Sequence, residues 1–215
     1  MGQALTQGRL ITFEGGEGAG KTTQIKLLAA ALERGAIDVV TTREPGGSPG
    51  AEEIRKILLT GATGRWDAEC EALLMVAARR SHLVGTIWPA LEAGRTVLCD
   101  RFADSTEAYQ GWGRGLPRER LMELHRLIAG DFMPALTLIF DIPVAEGLAR
   151  TVARSGDETR FERMPREFHE RLRQGFLDIA RREPRRCVLI DARPDAAAVH
   201  AAVLTAVQER LGLPV

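Results

Sequence analysis

The chain has 215 residues, 45% of them hydrophobic, and a formal net charge of zero, which suits one compact domain over residues 1–215. No run of about 18 apolar residues marks a membrane span, and residues 1–8 are polar with no export-signal core. A cytoplasmic protein without a membrane partner is expected. The zero net charge also argues against a nucleic-acid partner, which would call for a basic face.

The first apolar strand is predicted at residues 10–13. Gly15, Gly16, Glu17, Gly18, Ala19, Gly20, Lys21 and Thr22 follow it in the pattern G-x-x-x-x-G-K-[ST]. Glycines at these places let successive backbone N–H groups turn inward on a polyphosphate. Lys21 reaches its outer phosphates, and Thr22 offers a hydroxyl to Mg²⁺. A helix over 22–33 then points its positive dipole end at the same anion. The octet therefore reads as the ATP cradle.

A second strand at 39–42 runs into Thr42-Arg43-Glu44-Pro45-Gly46-Gly47, where a guanidinium fork beside a rigid bend suits a second phosphate group. Helical patterns cover 52–59 and 70–92. A strand at 96–99 ends in Asp100-Arg101, placing a carboxylate for Mg²⁺ next to a cation able to bridge two phosphates. A polar and aromatic cluster occupies 105–115. Further on come a helix at 118–128, a strand at 137–141 and a helix at 144–153. The chain finishes with helices at 165–182 and 196–211 around a strand at 188–191. Val199, Val203, Val207 and Leu211 give the last helix an apolar stripe. Strands alternating with helices imply an α/β fold with a mostly parallel sheet covered on both faces. Ligands on such sheets collect beyond the carboxyl ends of the strands.

Between the helices at 144–153 and 165–182 lies the short polar segment 154–160. It reads either as a solvated loop or as a lid carrying arginines over the phosphates. The phosphate loop has no arginine among its variable residues, so a cation must reach the transferring group from elsewhere. Arg154 and Arg160 are the candidates, with Arg150 a weaker third. Cys70, Cys99 and Cys187 are odd in number and scattered, so they read as reduced and packed. No Cys/His spacing marks a zinc site. His82, His125, His169 and His200 share no motif and read as packing or surface residues.

The phosphate loop, Thr-Arg-Glu-Pro-Gly-Gly at 42–47, Asp-Arg-Phe at 100–102 and Ser-Thr-x-Ala-Tyr-Gln at 105–110 together resemble bacterial thymidylate kinase, in the subgroup with a lid arginine. The resemblance spans essentially the whole chain. It implies a P-loop nucleoside monophosphate kinase fold, with a five-stranded parallel sheet flanked by helices and a short lid near 154–160. It implies transfer of the γ-phosphoryl group of ATP to dTMP with Mg²⁺, by a homodimer. Under it Lys21, Arg101 and a lid arginine, Arg154 or Arg160, are catalytic, and Thr22 and Asp100 hold Mg²⁺, partly through water. Glu17 accepts a hydrogen bond from the sugar 3′-OH, and Arg43 and Arg101 clamp the monophosphate. Arg79 donates to thymine O4, and Ser105 and Thr106 read the base edge. Tyr109 packs under the deoxyribose, with Gln110 supporting that wall. Met75 stands where the family often has a base-stacking phenylalanine, and Trp112, where glycine is usual, is expected to alter the rim of the site. Two other readings stay open: another nucleoside monophosphate kinase, and a P-loop ATPase that drives a protein or DNA partner.

Overall fold

A computed structural model of the chain describes residues 8–151 and 160–215. Its centre is a sheet of five strands, β1 Leu10–Gly15, β2 Val39–Arg43, β3 Thr96–Asp100, β4 Leu136–Asp141 and β5 Cys187–Asp191. They lie in the order β2-β3-β1-β4-β5 and every pairing is parallel. The three middle strands are almost entirely buried and the two edge strands only partly. This explains why residues 10–13, 96–99 and 137–141 are short apolar runs without alternation.

Helix α1 (Lys21–Arg34) follows the phosphate loop and packs with α9 (Ala196–Leu211) on one face of the sheet. Leu28 and Leu32 from α1 and Val203 and Val207 from α9 are fully buried there. Helices α2 (Pro49–Leu59), α3 (Ala68–His82) and α4 (Trp88–Glu92) follow β2. A π-helical turn, Leu83–Ile87, joins α3 to α4, so the single helix predicted over 70–92 is widened at its middle. After β3 the chain forms α5 (Ala103–Thr106), continued by a second π segment at Glu107–Gly113. That helical stretch was not predicted. Helices α6 (Arg118–Ala129), α7 (Val144–Thr151) and α8 (Arg166–Arg182) complete the order.

Helix α8 crosses the second π segment at very short range. A Cβ at Gly175 would stand 2.7 Å from the Trp112 ring, and one at Gly113 would stand 2.4 Å from the Phe168 ring. Trp112 thus rests on α8 over Gly175, not on the rim of the site as expected. The parallel register brings the functional strand ends level. Arg43 of β2 lies opposite Asp100 of β3, and Phe13, two residues before the phosphate loop, also lies opposite Asp100.

Candidate active site

Backbone geometry makes the phosphate cradle. Gly15 has φ 128°, and a Cβ there would stand 2.3 Å from the Phe140 carbonyl oxygen. Gly18 has φ 70°, and its Cβ would meet the Gly147 carbonyl oxygen at 2.0 Å. Only glycine fits either place. Lys21 lies across the loop, donating to the carbonyls of Gly16 (2.8 Å) and Gly15 (3.2 Å). Burial and the nearby Arg101 charge lower its pKa to about 8. The first turn of α1 contains no acidic residue, so its dipole stays available to an anion. Thr22 Oγ1 lies 3.2 Å from Asp100 Oδ2. These two hard oxygen donors at the triphosphate end fit Mg²⁺, which takes few protein ligands and completes its shell with phosphates and water. Among the described residues no cluster of three or more His, Cys, Asp or Glu forms a metal site.

Arg101 sits at the turn after β3 with φ 71°, a left-handed conformation in a non-glycine residue. Such strain costs about 1–2 kcal/mol and persists only where the surroundings impose it. Here the Arg101 N–H bonds the Phe13 carbonyl at 3.0 Å, and the next N–H, that of Phe102, donates to Glu14 at 2.7 Å. The guanidinium then reaches the Gly15 carbonyl (2.9 Å), Ser105 Oγ (3.3 Å) and Glu17 Oε1 (2.9 Å), and lies over the Tyr109 ring. Tyr109 donates its hydroxyl to the same Glu17 oxygen at 2.5 Å. Burial opposes ionisation of Glu17, yet Arg101, Lys21 and the Tyr109 hydroxyl lower its pKa to about 2. The cluster Lys21–Glu17–Arg101–Tyr109 is therefore charged and pre-oriented.

A cavity of about 550 Å³ runs from the phosphate loop over this cluster to a pocket lined by Met75, Arg79, Thr106 and Gln110. Arg79 is fixed on three sides. Its Nε donates to Glu44 at 2.7 Å, its Nη2 to the Phe102 carbonyl (3.0 Å) and Thr106 Oγ1 (2.7 Å), and the Phe102 ring lies beneath it. Glu44 also bonds His82, which in turn meets Thr42 Oγ1. Arg43 borders the cavity near its mouth, half-exposed and paired with Glu52 at 3.1 Å.

Comparisons with known proteins agree with this arrangement. Residues 13–203 match the family model for thymidylate kinase. A thymidylate kinase of Caulobacter vibrioides is 55% identical over 209 residues, covering 97% of this chain and all of that protein. One from Magnetococcus marinus is 49% identical, covering 95% of this chain and 97% of that one. The crystal structure of thymidylate kinase from Ehrlichia chaffeensis superposes with a TM-score of 0.77 at 36% identity, over 94% of this chain and 99% of that chain. The chain belongs to the thymidylate kinase family. It is a kinase that transfers a phosphoryl group from ATP to dTMP.

Several side chains expected in this kinase site have other engagements. Arg160 is 1% exposed and donates to the carbonyls of Leu58, Ala62 and Thr63 and to Glu71 at 2.5 Å. All three guanidinium nitrogens are thus engaged away from the phosphate loop. Arg150 bonds the carbonyls of Ala192 and Arg193 after β5. Arg154 and most of the lid at 154–160 lie outside the described residues. The Ser105 hydroxyl, expected to read the base edge, donates to Glu14 at 2.5 Å. Gln110, expected to support the sugar wall, donates its amide to Glu71 at 2.8 Å.

Two carboxylates organise the site without having been singled out, Glu44 and Glu71, and a third, Glu14, closes the first apolar run at the ligand edge; all three are buried. Burial and the Asp104 charge push Glu14 up to about 8, against the opposing hydrogen bond from Ser105 and the Arg101 charge. The histidines pack as expected. His82 joins the Glu44 relay, and His125 bonds the Phe132 carbonyl.

Proposed function

We propose that the cavity holds both nucleotides end to end, with the phosphate loop on ATP and the pocket around Arg79 on thymine. The observation that carries this reading is the shared carboxylate of Glu17. It accepts from Arg101 and from Tyr109 between a phosphate cradle and a base-sized pocket. The cradle N–H groups and Lys21 hold the triphosphate. Arg101, already ordered, bridges its γ-phosphoryl group and the acceptor phosphate, so little reorganisation remains at the moment of transfer. Arg43 exchanges Glu52 for that acceptor phosphate. Glu17 takes the sugar 3′-OH, and Tyr109 closes the floor where a 2′-OH would need room.

Arg79 donates to thymine O4, with Met75 against the ring face. The Gln110 carbonyl oxygen is buried and has no hydrogen-bond partner; a thymine N3–H supplies the missing donor. With Arg160 bound elsewhere, Arg154 is the lid arginine that stabilises the transition state. Thr22 and Asp100 are the residues that would hold Mg²⁺, whose charge would neutralise the phosphate oxygens. The homodimer reading is supported by exposed apolar side chains on neighbouring elements: Leu73 on α3, Val84 in the first π segment and Leu127 on α6, which is 82% exposed. A cytoplasmic setting suits the three free cysteines.

The metal assignment is tested by Mg²⁺ titration of ADP formation. Chelation is expected to stop turnover. Asp100→Asn is expected to raise the Mg²⁺ concentration needed for half-maximal rate about tenfold or more. A Mg²⁺ requirement unchanged in that variant would remove Asp100 from the metal site.

A further inference from the structure

Glu71 lies on α3, eight residues before Arg79, and is 0% exposed. It touches neither end of the cavity, yet three side chains donate to it: Gln110 through Nε2 (2.8 Å), Arg114 through Nη2 (2.8 Å) and Nε (3.4 Å), and Arg160 through Nη2 (2.5 Å). The two arginines are themselves tied to carbonyls at the end of α2 and in the α2–α3 connection, Arg114 to Trp66 and Arg160 to Leu58, Ala62 and Thr63. Although burial works against its charge, these hydrogen bonds hold the Glu71 carboxyl below the ordinary carboxylate range.

An ionised carboxylate can only accept hydrogen bonds. A side-chain amide beside one must turn its NH₂ toward it and its carbonyl away. That is the arrangement found at Gln110. Its nitrogen faces Glu71 and its oxygen, buried and unpartnered, belongs to a side chain lining the base end of the cavity.

We propose that Glu71 is a positioning residue for base selection, acting through Gln110 and resting on the reading that Gln110 faces the base. By remaining an acceptor, it forbids the flipped amide and so presents a carbonyl, not an NH₂, to position 3 of the pyrimidine. Thymine and uracil carry N3–H and match it. Cytosine carries a lone pair at N3 and an amine at position 4, so it meets an acceptor at N3 and the Arg79 donor at N4. Arg160 and Arg114 serve this device as the cations that keep Glu71 ionised and fixed. In this way the foot of the lid segment, at residue 160, is built into the base pocket.

The test compares kcat/KM for dTMP, dUMP and dCMP in the whole enzyme. In Glu71→Gln the neighbour offers both donor and acceptor, and Gln110 can flip. The dTMP-to-dCMP ratio is expected to fall about tenfold, while the dTMP-to-dUMP ratio stays as it was, because those two bases share N3–H and O4. An unchanged dTMP-to-dCMP ratio overturns the proposal, and so does an equal fall in both ratios, the sign of general loosening. Should Glu71→Gln not fold, Glu71→Leu combined with Arg160→Met removes the acid together with one of its buried cations, and the same pair of ratios decides. Gln110→Leu separates the two layers. If it leaves the dTMP-to-dCMP ratio intact, the reading of Gln110 itself is wrong. If it lowers the ratio and the Glu71 variants do not, only the positioning role fails.

Discussion

Replacing Arg101 by alanine is expected to lower kcat/KM for dTMP by about 10³-fold or more. The removal of one pre-oriented donor from a transition state commonly costs about 10²–10³, and Arg101 supplies a fork reaching the Gly15 carbonyl, Ser105 and Glu17. The substitution also leaves Glu17 buried with Tyr109 and Lys21 as its remaining support. The Glu17 pKa therefore rises from about 2, and the carboxylate loses the guanidinium that fixes its orientation toward the sugar hydroxyl. Lysine is no substitute. A point charge cannot hold Glu17 and two phosphate groups in one plane, and Arg101→Lys is expected to retain little of the activity. The backbone sharpens the case, because a left-handed φ of 71° is kept at the residue proposed to bridge the two phosphates. Steady-state kinetics with dTMP varied at saturating ATP, beside a thermal melt, checks this. A loss below tenfold in a folded Arg101→Ala enzyme would contradict the assignment.

Arg160→Ala is expected to act on stability and Arg154→Ala on rate. Removing Arg160 abandons three backbone carbonyls and takes a cation from Glu71, with both side chains at most 1% exposed. Breaking a buried pair of this kind costs about 3–5 kcal/mol, which in a domain of this size lowers Tm by roughly 10 °C. Below the melt, kcat with dTMP should fall less than tenfold. Arg154→Ala should leave Tm in place and reduce kcat by about 10³-fold, the lower end of what an arginine finger provides. Melts and kcat measured on the two variants together decide the matter. A 10³-fold loss of kcat in Arg160→Ala with an unchanged Tm would return the catalytic role to Arg160.

The contrast between these two arginines shows what the amino-acid sequence made legible. Residues 10–22 disclose themselves because their partners are local. A buried strand, a glycine turn and a helix start are all written within thirteen positions, and Gly15 and Gly18 occupy the places where backbone crowding admits no side chain. The strand ends were legible for a similar reason, since a charged residue closing an apolar run marks the ligand edge. That reasoning put Arg43, Asp100 and Arg101 side by side, and the register of β2, β3 and β1 does bring them level.

Arg160 was ambiguous because its partners are far away. Glu71 lies 89 positions earlier in the chain, and no spacing or periodicity relates the two. The same distance hid the partner of Glu14, Ser105, 91 positions on, and that of Glu44, which meets Arg79 across 35. A buried carboxylate becomes visible only when the fold supplies its donors. The helix over residues 103–113 escaped for another reason. Its latter part is π-helical and contains Gly111 and Gly113, so neither the 3.6-residue period nor helix propensity announces it. Gly113 is there because the Phe168 ring of α8 leaves no room for a Cβ, a constraint that arises only in the packed molecule.

Selection of a thymine deoxynucleotide is proposed to lie in the pocket above Tyr109 and beside Arg79. Its most direct test is ADP formation with dTMP, dUMP, dCMP and UMP at equal concentration, with ATP and Mg²⁺ in excess. The expected result is prompt turnover of dTMP, slower turnover of dUMP for want of the methyl group, and none of UMP, whose 2′-OH meets Tyr109. Rapid phosphorylation of UMP with dTMP inert would rule out that selectivity.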